Sequence, residues 1–260
     1  MFISIIIPTL NEEGCIGRLL DQLNRHPDKD NFETIVVDGG STDRTKDMIN
    51  SFHSEITLIE TETASRSHQM NEGARLAKGE ILYFVHADVQ LVDSFIDDIK
   101  SQIAAGIKSG CYRFKFDNPK NPLLHINGFF TRFPFQWCRG GDQTLFIVKD
   151  VFDKVGGFDE RFVIMEDYNI LDRLVKQNIS FKVIPKSIKV SSRKYDENTY
   201  LKVQLVNLKA MKMYKRGVDS TQIRDYYCQA LNGKYKQDQL FLGNLKPHER
   251  HSGRSSRRLA

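Results

Sequence analysis

Short apolar runs alternate with helical patterns along the first third of the chain, and this alternation constrains the fold more than any other feature. Residues 2–7 and 34–37 are β-rich apolar runs, each followed by polar loop residues and a helical pattern. Residues 56–59 and 81–85 fit two further strands, and Gly79 stands where the intervening helix should stop. The alternation predicts an α/β fold, a mostly parallel central sheet flanked by helices on both faces.

The second half of the chain loses this regular alternation. Two further strands are predicted, at 111–116 and 144–148. Helices are predicted at 94–105, 166–177, 199–216 and 221–231. In the second of these helices, Leu171, Leu174 and Val175 are expected on the buried face. The Phe- and Pro-rich stretch 121–137 is interpreted as an insertion that lines a cleft.

Length and composition predict one domain followed by a tail. With 260 residues, 40% of them hydrophobic and 27% charged, residues 1–243 can bury a large core. The net charge is +5, and residues 244–260 hold five basic residues against one acidic residue. This polar, non-periodic tail is predicted to be disordered, or to be a cloning remnant. Because the body is nearly neutral, no nucleic-acid partner is expected.

The sequence predicts a cytoplasmic location. The apolar run 2–7 is too short to span a bilayer, and no basic leader accompanies it. The four cysteines lack the paired spacing of a disulfide framework or a zinc site. The stretch INGFFTRFPFQW mixes Phe, Trp and Arg as membrane interfaces do. Peripheral contact with the inner face of the membrane therefore stays open beside packing in a core or cleft.

Acidic residues gather at the predicted strand ends. In open α/β sheets, ligands bind outside the carboxyl ends of the strands, which here bring together residues 8–13, 38–43 and 86–88. The carboxylates in these segments are Glu12, Glu13, Asp38, Asp43 and Asp88. A nucleotide diphosphate needs acceptors for its base and ribose, and its pyrophosphate needs a cation such as Mg²⁺ or Mn²⁺. The alternative for Glu12 and Asp43 is a role at a helix N-terminus.

Four ordered motifs carry a resemblance to a known family. The segments SIIIPTLNEE, IVVDGGSTDRT and NEGARLAKGEILYFVHADV resemble the first half of glycosyltransferase family 2, which has the GT-A fold. The segment GGDQTLFIVKDVFDKVGGFDERFVIMEDYNILDRL resembles its second half, so the similarity covers about 3–190. The resemblance implies a donor-binding half, about 1–110, and an acceptor and catalytic half, about 111–243. In more detail the chain resembles a small branch of transferases with an HAD metal motif, some of them linked to arsenosugar biosynthesis.

The resemblance implies a set of residues for the nucleotide-sugar donor. Asp38 matches the acidic residue that accepts a hydrogen bond from the uracil N–H, although Gly39 replaces the second Asp common in the family. Arg66 matches a basic residue that meets the donor, and its alternative is an exposed helix arginine. The implied donor-binding residues are Pro8, Thr9, Glu12, Asp38, Gly40, Arg66, His86, Ala87 and Asp88.

The segment His86-Ala87-Asp88 takes the place of the family's DxD metal motif. Its last residue, Asp88, matches the carboxylate that binds the metal, and the first Asp of the motif has become His86. A neutral imidazole can accept a hydrogen bond from a ribose hydroxyl or ligate a metal. The resemblance therefore implies Mg²⁺ or Mn²⁺ at Asp88 and His86.

The acceptor side is implied by two later motifs. Glu166-Asp167 matches the family's ED motif, in which Asp167 is the general base and Glu166 a neighbour that raises its pKa by like-charge repulsion. The alternative is that both acids only begin a helix. Asp142 and Gln143 match the acceptor-side loop, and Arg193 follows the last strand, where relatives bring a basic residue towards the diphosphate.

These residues lead to the expectation of an inverting glycosyltransferase. It would move a sugar from a nucleotide-diphosphate donor, a UDP-sugar in this interpretation, to a hydroxyl acceptor that is a small molecule or lipid-linked. A sugar nucleotidyltransferase is an alternative, although its Gly-rich basic phosphate loop is missing. A nucleotide-sugar-binding protein with little activity is a second alternative, favoured by His86. A lipid- or nucleic-acid-binding module is a third, and it would use the basic tail and Lys202, Lys209, Lys212 and Lys215.

Overall fold

A computed structural model of the chain describes residues 1–52, 56–117, 121–133 and 143–231. The described part contains one seven-stranded sheet with the spatial order β3-β2-β1-β4-β6-β5-β7. Its strands are β1 (Ile3–Thr9), β2 (Phe32–Asp38), β3 (Ile56–Glu60), β4 (Ile81–Phe84), β5 (Ser109–Phe116), β6 (Leu145–Val148) and β7 (Phe181–Val190). The predicted tail and the boundary at residue 243 lie outside the described residues.

The sheet is mostly parallel, as predicted. β2 pairs parallel with β3 and β1, β1 pairs parallel with β4, and β5 pairs parallel with β7, whereas β6 runs antiparallel to both of its neighbours. Since β1, β2 and β4 run in the same direction, their carboxyl ends lie at one edge of the sheet. The pairing of Thr9 with Asp38 marks that edge.

Helices cover both faces of the sheet. Within the described residues they are α1 (Ile16–Asn24), α2 (Thr45–Asn50), α3 (Arg66–Leu76), α4 (Phe95–Ala104), α5 (Leu124–Phe130), α6 (Lys149–Val155), α7 (Glu166–Lys176), α8 (Tyr200–Lys215) and α9 (Ser220–Ala230). The four helices predicted in the second half correspond to α4, α7, α8 and α9. None of the described helices is long and apolar enough to cross a bilayer.

The central strand β1 contributes side chains to two hydrophobic cores, one on each face of the sheet. Ile5 and Ile7 belong to the core that includes Leu19 of α1 and Phe95 of α4. Ile6 points the other way, into the core that includes Met70 of α3. All seven residues of β1 are buried. A strand covered on both faces loses the alternation of apolar and polar residues, which explains the continuous run ISIIIPT.

The prediction that Val175 of α7 is buried is wrong. Leu171 and Leu174 are buried, at 8% and 1% exposure, but Val175 is 67% exposed. The buried stripe of this helix also includes Ile170, and Val175 lies about 100° around the helix from Leu174. It therefore faces solvent rather than the sheet.

Helix α3 approaches β1 very closely at Gly73. A Cβ atom added at Gly73 would lie 2.4 Å from Cγ2 of Ile6 and 3.2 Å from Cγ2 of Val37. This contact sets the distance between the helix and the sheet. The same helix carries Arg66 and Gln69, which belong to the candidate site described below. The packing requirement explains a glycine in a helix interior, where alanine is otherwise preferred by about 1 kcal/mol.

We predict that Gly73→Ala lowers the free energy of unfolding by about 1–2 kcal/mol, because the clash with Ile6 outweighs the gain in helix propensity. Urea unfolding measures it. Gly14→Ala is the matched control, since nothing lies within 4 Å of a Cβ atom there. An unfolding free energy of the Gly73 variant equal to or above that of wild type would contradict the close packing.

Candidate active site

The loops after β1 and β2 are joined by the carboxylate of Asp38. Its Oδ2 accepts hydrogen bonds from the backbone N–H groups of Gly40, at 3.0 Å, and Ser41, at 2.7 Å. Its Oδ1 accepts from the hydroxyls of Ser41, at 2.5 Å, and Thr9, at 3.2 Å. The side chain of Asp38 is 0% exposed. Asp38 therefore shapes the turn at the sheet edge as well as lying at the implied donor position.

Gln69 of α3 supports the same edge and was missed by sequence analysis. Its Nε2 donates to the carbonyls of Thr9 and Val37, both at 2.8 Å. A Cβ atom at Gly39 would lie 3.1 Å from the side chain of Gln69. This proximity leaves little room for the second Asp common in relatives. Gly40 has a φ of +90°, a conformation that glycine adopts without strain.

The loop that carries Glu12 is locked to the loop after β2. Asn11 has a φ of 53°, and its Oδ1 accepts from the N–H of Thr42 at 2.9 Å. The N–H of Glu12 donates to the hydroxyl of Thr45 at 2.8 Å. Oδ1 of Asp43 accepts from the N–H of Thr45, the first residue of α2, at 3.0 Å.

Glu12 and Asp88 converge on the guanidinium of Arg193. The Arg193 Nη atoms lie 2.8 and 3.0 Å from the two carboxylate oxygens of Glu12, and Nη2 lies 3.5 Å from Oδ2 of Asp88. Burial works to lower the pKa of Arg193, but its hydrogen bonds with Glu12 and the charges of both acids raise the pKa above the ordinary value. The carboxylates of Glu12 and Asp88, which come from different loops, thus both pair with the guanidinium of Arg193 at the sheet edge.

The backbone connects Asp88 to the segment that carries Arg193. Gln90 and Lys189 of β7 exchange backbone hydrogen bonds of 2.8 and 3.0 Å. Ala87 is 3% exposed and packs in the core, and Pro8 is buried in β1, so these two implied donor residues offer backbone rather than side chains. His86 lies just after β4 and is partly exposed.

The residues present fit a divalent cation bound together with a substrate. Among the described residues no group of three or more His, Cys, Asp or Glu side chains is arranged to hold a metal ion. Mg²⁺ is commonly held by one or two carboxylates together with substrate phosphate oxygens. At this edge Asp88, whose Oδ2 lies 3.5 Å from Nη2 of Arg193, is the carboxylate that would take part in such a site together with phosphate oxygens of a bound donor.

The implied catalytic pair begins helix α7. Met165, just before it, has a φ of 67°, a left-handed conformation that costs about 1 kcal/mol or more in a non-glycine residue. Glu166 is 3% exposed, and its Oε1 lies 3.0 Å from Nη1 of Arg66. Arg66, implied as a donor residue, thus connects α3 to α7. Its own side chain remains 47% exposed.

Asp167 and Gln143 line one pocket. Its other lining residues are Cys111, Thr144, Leu145, Tyr168, Ile170, Leu171 and Phe181. Nε2 of Gln143 is buried and has no hydrogen-bond partner among the described residues. A buried donor without a partner costs about 1–3 kcal/mol, so a ligand oxygen would be favoured there. Asp142, with Gly140 and Gly141, lies outside the described residues.

Solved structures share this fold. S. aureus TarS gives a TM-score of 0.62 at 18% identity, over 88% of this chain and 43% of its own. TarS in complex with UDP-GlcNAc gives 0.59 at 18% identity, over 88% and 71%. Mannosyltransferase PcManGT from Pyrobaculum calidifontis, in complex with GDP-Man and Mn²⁺, gives 0.60 at 16% identity, over 80% and 61%. The predicted GT-A fold is confirmed.

The sequence profile of Glycosyl transferase family 2 matches residues 4–151, more than half of the chain. The chain belongs to glycosyl transferase family 2. The curated relatives it matches are named as glycosyltransferases. Its placement in the HAD branch and the arsenosugar link stay predictions.

Two of these relatives show how much of the chain is shared. A PGL/p-HBAD biosynthesis glycosyltransferase of Mycobacterium bovis (strain BCG / Pasteur 1173P2) is 29% identical over 182 residues, 64% of this chain and 66% of the relative. Validoxylamine A glucosyltransferase of Streptomyces hygroscopicus subsp. limoneus is 29% identical over 141 residues, 51% and 31%. The family 2 chain thus spans just under two thirds of the first relative and about a third of the second.

We predict that Asp38→Asn lowers the free energy of unfolding of this family 2 protein by about 2–3 kcal/mol, because an amide N–H₂ would replace an acceptor among four hydrogen-bond donors. Urea unfolding measures the change. Asp47→Asn, at an exposed position of α2, should stay within about 0.5 kcal/mol of wild type. Equal losses in the two variants would show that the Asp38 hydrogen bonds contribute little to folding.

Proposed function

We propose that this family 2 enzyme transfers a sugar from a UDP-sugar to a hydroxyl acceptor with inversion, assisted by a divalent cation and with Asp167 as general base. The observation that carries the proposal is the position of α3 between two sites. Gln69 of α3 contacts the donor edge, and Arg66, one turn earlier, contacts the start of α7. Helix α3 thus connects the edge proposed for the donor with the start of the helix that carries the proposed base.

The donor half of the proposal rests on the loops after β1, β2 and β4. Thr9 and Asp38 end β1 and β2, and Glu12 lies in the loop after β1. Hydrogen bonds join these strand ends and the loops after β1 and β2, so this part needs little reorganisation on binding. TarS, a structural neighbour, has been solved with UDP-GlcNAc, and PcManGT with GDP-Man. The resemblance of the motifs to uridine-binding relatives favours UDP over GDP.

The diphosphate would meet two positive charges. When bound, a divalent cation held by Asp88, with His86 beside it, neutralises negative charge on the leaving diphosphate. Arg193 now pairs with Glu12 and Asp88. We propose that its guanidinium turns to the diphosphate when the donor binds, because a planar fork of N–H groups suits phosphate oxygens. Asp88 is then released for the cation.

The acceptor half of the proposal rests on the pocket beside α7. Asp167 accepts the proton of the acceptor hydroxyl while that oxygen forms a bond to the anomeric carbon and the bond to the diphosphate breaks. A single displacement of this kind inverts the anomeric configuration. Gln143, whose Nε2 has no hydrogen-bond partner in the part of the chain that the structure describes, would donate to a hydroxyl of the sugar or acceptor, and Asp142 is the second implied acceptor residue.

Glu166 has a different role in this proposal from the one implied by the motif. Its charge faces Arg66 at 3.0 Å, so its repulsion of Asp167 is offset by the guanidinium. We propose that Glu166 is a positioning residue, which fixes the start of α7 against α3. Asp167, half-buried and lining the pocket, is then oriented by the helix that Glu166 anchors.

We predict that Asp167→Asn lowers the transfer rate by about 10²–10⁴-fold with little change in UDP affinity, because the amide keeps its size and loses its basicity. Turnover with a competent acceptor and calorimetry with UDP measure the two effects, and NMR of the product should show inversion. Glu166→Gln should cost less, and Asp153→Asn, at an exposed position of α6, serves as control. Retained product configuration, or normal turnover of the Asp167 variant, would reject the general-base assignment.

We predict that UDP binding is strengthened by Mn²⁺ or Mg²⁺ in wild type and that Asp88→Asn removes this effect, because the amide brings no charge to the cation. Calorimetry with added metal and with chelator measures it. Arg193→Gln should weaken UDP binding while keeping its response to metal. UDP affinity that ignores both chelator and the Asp88 substitution would rule out the metal assignment.

A further inference from the structure

Helix α8 is apolar on two opposite faces. Val203, Val206 and Ala210 are buried against α9, in a small core that also includes Ile223 and Tyr227. Three leucines point the opposite way and are among the most exposed apolar side chains of the described residues: Leu201 at 69%, Leu205 at 66% and Leu208 at 52%. They recur at i, i+4 and i+7, so they form one continuous stripe.

Lysines follow the leucine stripe towards the C-terminal end of α8. Lys212 and Lys215 lie four and seven residues after Leu208, so helical periodicity places them on the same face. Lys209 flanks the stripe and lies 4.3 Å above the ring of Tyr226. The sixteen residues of α8 include four lysines, and neither Asp nor Glu occurs among them.

Helix α5 adds a second exposed apolar group beside the start of α8. Asn127 donates to the hydroxyl of Tyr195 at 3.2 Å and accepts from the hydroxyl of Tyr200 at 2.9 Å. The guanidinium of Arg132 covers the ring of Phe129 at 3.8 Å. The exposed apolar residues here are Leu123 at 42%, Ile126 at 45%, Phe129 at 47% and Phe130 at 39%.

We propose that these two groups together, the α5–α8 face, dock this glycosyltransferase on an anionic lipid surface. A helix with a leucine stripe and lysines, placed on the protein exterior, is the pattern of interfacial helices, whose leucines enter the acyl boundary while lysines meet anionic headgroups. Arg132 beside exposed phenylalanines repeats the same mixture on α5.

The charge of the face favours a lipid surface over a second copy of the chain. A twofold interface would place the face against itself, so Lys212 and Lys215 would meet a surface of the same sign. An anionic bilayer supplies the opposite charge and an apolar phase together. An acidic protein surface would also supply the charge, and absence of binding to every vesicle is the result that would favour it over a lipid surface.

The position of the face relates it to the candidate active site. Ile164 and Met165, directly before Glu166, pack against the α8–α9 core. The hydroxyl of Tyr214 on α8 donates to Asp172 of α7 at 2.6 Å. Docking through α8 would therefore bring the α7 side of the enzyme near the bilayer, where a lipid-linked acceptor would lie. The docking proposal stands on the exposed residues and does not require the proposed function.

Vesicle co-sedimentation of the full chain, without donor or metal, tests the proposal. Vesicles of phosphatidylcholine alone are compared with vesicles that also contain phosphatidylglycerol, at low and high salt. Wild type should bind the anionic vesicles at least about tenfold more tightly, and high salt should weaken the binding. Absence of binding to both vesicles overturns the proposal.

Variants assign the binding to the face. Replacing Leu201, Leu205 and Leu208 together by Gln, a good helix former, should reduce binding to anionic vesicles by about tenfold or more. Replacing Lys209, Lys212 and Lys215 by Gln should reduce the affinity and its salt dependence. The controls are Val175→Gln, as exposed as the leucines but on α7, and a Gln triple of the exposed residues Lys154, Lys176 and Lys182.

Three further results would overturn the proposal. Undiminished vesicle binding by the leucine variant would assign the affinity to basic residues elsewhere, such as those of 244–260. A wild-type dimer that the leucine variant turns into a monomer, seen by light scattering, would assign the face to a second copy. Equal loss in the Val175 control would show a non-specific effect. Circular dichroism of every variant verifies folding, and the single change Leu205→Gln provides a milder variant.

Discussion

The parallel register of β1 against β2 places Thr9 opposite Asp38, and the arrangement of the donor edge depends on that pairing. Each strand ends at the same level of the sheet, so the carboxylate of Asp38 reaches the hydroxyl of Thr9 and the turn that follows β2. A slip of one residue would turn Ile6 and its neighbours to the wrong core and separate these partners. Burial of β1 on both faces thus also sets the geometry of the site.

Helix α3 connects the ends of β1 and β2 to helix α7 in the second half of the chain. Gly73 allows it to lie against Ile6, and the depth of that contact brings Gln69 to the strand-end carbonyls. Arg66 extends from the same helix to Glu166, which is buried and begins α7. A buried carboxylate needs such a partner, because an unpaired charge is strongly disfavoured away from water.

Sequence patterns predicted strand bounds and side-chain burial less well where several segments of the chain pack together. The sequence analysis predicts no bounds for strand β7, and its Pro185 is unusual inside a strand. The structure accommodates Pro185 because β7 is an edge strand with a register shift opposite Tyr112 and Arg113. Val175 was expected to be buried from helical spacing alone, and that spacing did not settle which arc of α7 meets the sheet.

The sequence by itself determined the class of fold and the family. Alternating apolar runs and helical patterns suffice for a mostly parallel sheet, and ordered motifs suffice for glycosyl transferase family 2, because both are written in local residue order. Only the tertiary structure decided that Arg66 meets Glu166 and that Arg193 spans Glu12 and Asp88. These partners are separated by about a hundred residues or more along the chain. Their meeting depends on how the whole sheet packs, which no local pattern records.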